Sequence, residues 1–69
     1  MKYLVVIEKA NENYSAYLPD LPRCIATGKS KEEARQNIIE ALAIHIEGLK
    51  EDGLPVPEPA SEADYVAAQ

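Results

Sequence analysis

Tryptophan and phenylalanine are absent from this chain, and its only aromatic residues are four tyrosines. Tyrosine, with an apolar body and a polar tip, suits half-wet surfaces and interfaces, and ordinary sheet packing is favoured for Tyr3. There is one cysteine, Cys24, so no internal disulfide can form. There is one histidine, His45, and no Cys/His cluster, which rules out a structural zinc site. No apolar run reaches the roughly eighteen residues that a membrane-spanning helix needs. Basic residues are the minority: seven Lys and Arg stand against twelve Asp and Glu, a net charge of −5. An acidic surface repels phosphate backbones, so direct nucleic-acid binding is not expected. It favours a basic protein partner instead.

The 69 residues make one small domain. A chain this short buries only about 60% of the surface its unfolded form exposes. Small scaffolds add disulfides, a metal or self-association. The first two are removed by composition, so a homodimer or higher homo-oligomer is the expectation. The N-terminus MKYLVVIEKA is too short for a signal peptide and lacks a cleavage site. Together with the free cysteine it points to the cytoplasm.

Residues 2–9 (KYLVVIEK) form a short run rich in β-branched residues and read as a strand. Tyr3, Val5 and Ile7 lie on one face and Leu4 and Val6 on the other, so something is expected to cover both. Asn11-Glu12-Asn13 supplies turn chemistry, and a second strand at about 14–18 completes a hairpin. Pro19 and Pro22 break the ladder. A short third strand is expected at about 23–27. Ser30 with Glu33 three residues on forms a capping box for a helix over roughly 31–52. Ala34, Ile38, Ala41, Leu42, His45 and Leu49 share its apolar face, and Glu33, Gln36, Glu40, Glu47 and Glu51 lie opposite. Gly53 and Pro55 end it. The sheet-and-helix core thus spans 1–53, a Pro-rich connector 54–61, and a short C-terminal edge strand 62–69 centred on Asp64–Ala68. The expected fold is α+β: a small antiparallel sheet of three to four strands with one helix on one face, in the order β-β-β-α-β.

Catalytic candidates are few. His45 sits on the apolar helix face with no serine or cysteine at a motif spacing to activate, so it reads as a packed helix residue. Cys24 reads as a small buried hydrophobe. The helix carboxylates lie mostly on the solvent side, and neither an Asp-x-Asp spacing nor a Gly-rich phosphate loop occurs. No catalytic residue, cofactor or metal is assigned. Ile44 projects toward the polar side of the helix near Gly48, where interface burial and plain exposure are equally open.

The ordered set Tyr14-Ser15-Ala16-Tyr17-Leu18-Pro19-Asp20-Leu21-Pro22-Arg23-Cys24, Thr27-Gly28, Ser30-x-x-Glu33-Ala34, Asn37-Ile38, His45-x-Glu47-Gly48-Leu49 and Asp52-Gly53-x-Pro55-x-Pro57-x-Pro59 resembles the HicB antitoxin N-terminal domain over about residues 1–60. That resemblance implies a partial RNase H-like fold and a partner: a HicA-type toxin, a small basic mRNA-cleaving protein. It also implies self-association. Two departures stand out. Family members often carry Gly where Arg23 stands. Full-length HicB antitoxins add a C-terminal DNA-binding module, for which this chain, ending at Gln69, leaves no room; operator binding and autorepression are therefore expected to be absent.

The leading expectation is a binding module that masks a HicA-type ribonuclease. Its candidate toxin contacts are Tyr14, Tyr17, Pro19, Asp20, Leu21 and Arg23. Candidate self-association residues are Ile44, Gly48, Tyr65 and Val66. The alternatives are an orphan homo-oligomeric scaffold or regulator and, further off, a vestigial RNase H-like nuclease, for which no matching carboxylate set can be placed.

Overall fold

The computed structural model describes residues 1–69. Strand β1 is Val6–Lys9, β2 is Tyr14–Tyr17, β3 is Ile25–Gly28, and helix α1 is Lys31–Glu51. The strands form one antiparallel sheet in the order β1-β2-β3. A four-residue connection, closed by the Ala10 N–H donating to the Asn13 carbonyl at 2.8 Å, makes the first hairpin. Ile7, Ala16 and Ala26 face one another across the ladder. Alternation puts these residues on the helix side and Val6, Tyr17 and Ile25 on the other.

Helix α1 begins where the sequence places it. The Ser30 hydroxyl accepts the Glu33 N–H at 3.1 Å. The Glu33 carboxylate reaches back to the Lys29 N–H at 2.9 Å, one residue beyond the usual capping-box partner. At the other end, Leu54 N–H donates to the Leu49 carbonyl and Gly53 N–H to the Lys50 carbonyl. Gly53 has φ 68°. That bonding is a Schellman motif, which glycine permits at no Cβ penalty. The helix lies mainly across β3 and β2, and least across β1. Asn37 ties it to β3 by donating to the Thr27 carbonyl at 2.8 Å.

The buried core is six side chains: Ala16, Leu18, Leu21, Cys24, Ala34 and Ile38. Half of them come from a loop. Leu21 N–H donates to the Leu18 carbonyl, Cys24 N–H to the Leu21 carbonyl, and Leu18 N–H to the Cys24 carbonyl, at 3.0, 3.1 and 3.4 Å. Two consecutive turns, each with proline in its second position, thereby turn every third residue inward. Tyr3, Val5, Ile7, Tyr14, Ala26, Ala41, Leu42 and Leu49 pack around this centre.

Three expectations are corrected. β1 starts at Val6 rather than residue 2, because Val6 already pairs with Tyr17, the last residue of β2, and residues 2–5 have no strand partner; the Tyr3 hydroxyl instead reaches the Pro57 carbonyl. β3 starts at Ile25, so Arg23 and Cys24 belong to the turn before it. No strand forms over 62–69. Tyr65 and Val66 are 98% and 94% exposed, with no sheet edge beside them to supply ladder bonds.

Candidate protein-interaction site

The sheet has one helix, and that helix covers one face. On the open face Val6, Tyr17 and Ile25 stand directly opposite one another as a cross-strand row. Ile25 is 62% exposed and Tyr17 36%. The next row, Glu8, Ser15 and Thr27, is polar. The apolar row is thus bordered on that side by a polar one.

That row runs into a cleft of about 240 Å³ lined by residues 17–19 and 21–25. Its floor is Leu18, Leu21 and Cys24, whose side chains are core residues. Its rim is Tyr17, Pro19, Pro22, Arg23 and Ile25, all exposed. Arg23 is the only charged group in the lining. Its φ of 74° is the left-handed region, at the third position of a turn whose second residue is Pro22. A type II turn wants glycine there, which accounts physically for the glycine that the family resemblance puts at this position.

The sequence-predicted contacts divide accordingly. Tyr17, Pro19 and Arg23 are brought together on the rim. Leu21 lines the cleft from beneath and is 1% exposed, so it shapes the surface more than it offers one. Tyr14 points to the helix side and packs against the core, away from Tyr17. Asp20 turns outward to a different task. Its carboxylate accepts the Ala60 N–H at 3.1 Å, the Ser61 N–H at 3.2 Å and the Ser61 hydroxyl at 2.8 Å. These bonds, the Ala60 N–H first, hold its carboxyl below the ordinary aspartate value. Ile25 and Pro22 were not among the expected contacts, and Val6 was placed on a face expected to be covered without being named a contact. The alternation of β1 and β3 was the available signal.

The self-association candidates do not form a single element. Ile44 is 72% exposed, one helical turn from Gly48. Tyr65 and Val66 lie in the extended C-terminal segment. As for chemistry, burial pushes the Cys24 thiol up from its ordinary value, which disfavours the thiolate a nucleophile requires. His45 is half-buried on the helix. No group of three or more His, Cys, Asp and Glu side chains converges in the chain. No helix is long and apolar enough to cross a membrane.

Comparison with known proteins bears on this surface. The family model described as the HicB-like antitoxin of bacterial toxin-antitoxin systems matches residues 3–69. An uncharacterised protein of Haemophilus phage HP1 is 38% identical over 66 residues, covering 96% of this chain and 50% of that one. A UPF0150 protein of Thermoplasma acidophilum is 41% identical over 69 residues, covering 99% of this chain and 100% of its own. Antitoxin HicB 1 of Photorhabdus laumondii is 35% identical over 69 residues, covering 96% of this chain and 44% of that one. The chain therefore spans about half the length of the phage and Photorhabdus relatives and all of the Thermoplasma one. Among solved structures, a chain of a HicA3 and HicB3 toxin-antitoxin complex superposes with a TM-score of 0.73 at 35% identity, covering 87% of this chain and 70% of that chain. An α+β sheet with one covered face, an ordered loop signature and these relatives agree: the chain belongs to the HicB-like antitoxin family of bacterial toxin-antitoxin systems.

Proposed function

We propose that this domain neutralises a basic HicA-type toxin by covering it, and that the surface it uses is the Val6–Tyr17–Ile25 row with the rim of the adjoining cleft. The observation that carries the reading is the match to a chain of a HicA3 and HicB3 complex, joined to an open sheet face whose apolar row has no partner within the chain. The net charge of −5 would steer a basic partner toward it. Tyr17 and Arg23 are residue types that dominate interface energetics. Pro19 and Pro22 keep the rim rigid, so little entropy is lost on binding. The action in this reading is binding, and the burial that pushes the Cys24 thiol up disfavours it as a nucleophile. The same negative charge opposes operator DNA, so masking by this domain proceeds without a DNA contact of its own. Self-association in the cytoplasm, through Ile44 and Gly48 on the helix and Tyr65 and Val66 beyond it, completes the reading.

The test is co-expression with a basic HicA-type toxin. The wild-type domain should restore growth and co-purify with the toxin. Ile25→Glu places a charge in the apolar row at an exposed position, so circular dichroism should stay unchanged while capture falls at least about tenfold, as for loss of a central contact. Failure of the wild-type pair to co-purify, with toxicity unaffected, would overturn the proposal.

A further inference from the structure

The connector after the helix is fastened at two points. The Tyr3 hydroxyl donates to the Pro57 carbonyl at 2.6 Å. Four residues on, Asp20 gathers three donors from Ala60 and Ser61. Only Glu58 and Pro59 lie between these two points, and with Pro55 and Pro57 before them the proline at every second position stiffens the segment, so pull at one end is transmitted rather than absorbed. Asp20 itself sits between Pro19 and Leu21, two residues of the cleft lining. The last eight residues leave this fastening exposed.

We propose that residues 54–61 are a strap whose Asp20–Ser61 clasp sets the shape of the 18–24 loop, so that whatever engages the chain beyond Ser61 regulates the cleft. The loop has two states, clasped and released. The clasped state fixes Asp20, and with it the first of the two turns that carry Leu18 and Leu21 into the core. The released state frees Asp20 to relax toward water and loosens the rim residues on either side. A ligand at the rim that prefers the clasped loop must, by linkage, tighten the strap, and a pull on the strap must weaken that ligand. The regulatory consequence rests on the reading of the cleft rim as the toxin surface; the coupling of strap to loop does not.

Two variants test it in the intact chain. Ser61→Ala lies outside the cleft and removes only the hydroxyl donor. Asp20→Ala removes the acceptor for all three bonds. Amide chemical shifts of Leu18, Leu21, Arg23 and Cys24 should move in both variants, in the same direction and further for Asp20→Ala. Affinity for the HicA-type toxin should fall about fivefold in Asp20→Ala, the low end of ordinary coupling, and less in Ser61→Ala. Ser61→Ala leaves the core untouched, so it stays informative if Asp20→Ala unfolds. Faster exchange at Ala60 and Ser61 with unmoved loop amides would overturn the strap, whatever the toxin does. Moved loop amides in a protein whose wild-type form binds no toxin would support the strap and overturn the toxin reading alone.

Discussion

Arg23 and Gly28 carry opposite kinds of backbone demand. Arg23 holds φ 74° with a Cβ in place, a conformation that costs an L-residue about 1–2 kcal/mol. Arg23→Gly should therefore stabilise the domain by about 1 kcal/mol, read as a rise in the thermal midpoint, while removing the only cation of the cleft. Gly28 is buried where β3 meets the helix start. A Cβ there would lie 2.8 Å from the Glu33 carbonyl carbon and 2.9 Å from Ala34 Cα, and would also collide with the Ala34 nitrogen. All of these are backbone atoms that cannot rotate away, so Gly28→Ala should destabilise by about 1–3 kcal/mol, lowering the urea midpoint. Asp20 has a folded carboxyl pKa below the ordinary 3.8. Its contribution is then complete above the unfolded value and lost as pH falls through the folded one. The strap should hold unchanged from pH 5 to 8 (roughly, given that ordinary value) and loosen only in acid. A carboxyl-carbon NMR titration of Asp20 with a midpoint at or above 3.8 would contradict this.

At the scale of elements, helix α1 contains a position the fold does not require to be glycine. A Cβ at Gly48 meets nothing within 4 Å, and mid-helix glycine costs about 0.5–1 kcal/mol against alanine. Gly48→Ala should raise the thermal midpoint. If Gly48 and Ile44 form the self-interface, the same variant should also weaken association in sedimentation velocity. This helix was legible from sequence to within a residue because its signals are local: Ser30, Glu33 and Gly53 each act within one turn of where they stand. The hairpin was legible for the same reason. The edge strand at 62–69 was not, since Tyr65, Val66 and Ala67 have strand composition but pairing needs a neighbour that composition does not reveal. Nor was the inward fold of the 18–24 loop. Pro19 and Pro22 announce a break in the ladder without telling that Leu18, Leu21 and Cys24, three residues apart, return to the core. Of the candidate site, Tyr17, Pro19 and Arg23 were visible, whereas Ile25 and Val6 depend on cross-strand register.

As a whole the molecule is long for its size. Its radius of gyration is 13.5 Å and its extents are 46 × 28 × 16 Å, against about 11 Å expected for a compact chain of this length. The helix of 21 residues and the exposed C-terminal segment account for the excess. Six buried side chains are a small core, so a bound partner should contribute visibly to stability. A toxin present at a hundred times its dissociation constant adds about 2.7 kcal/mol by mass action. The thermal midpoint of the complex should exceed that of the free domain and rise with toxin concentration, whereas a midpoint that ignores the toxin would contradict the masking role.

The loop of residues 18–24 has a consequence for how the free domain meets a protease. Nicking of surface loops ordinarily needs only a local opening. Here the loop carries Leu18, Leu21 and Cys24, half of the core, so it cannot swing into a cleavage site while the rest of the domain stays folded. Cutting within it should follow global unfolding, and the first detectable product should be digestion of the whole chain instead of a nicked intermediate.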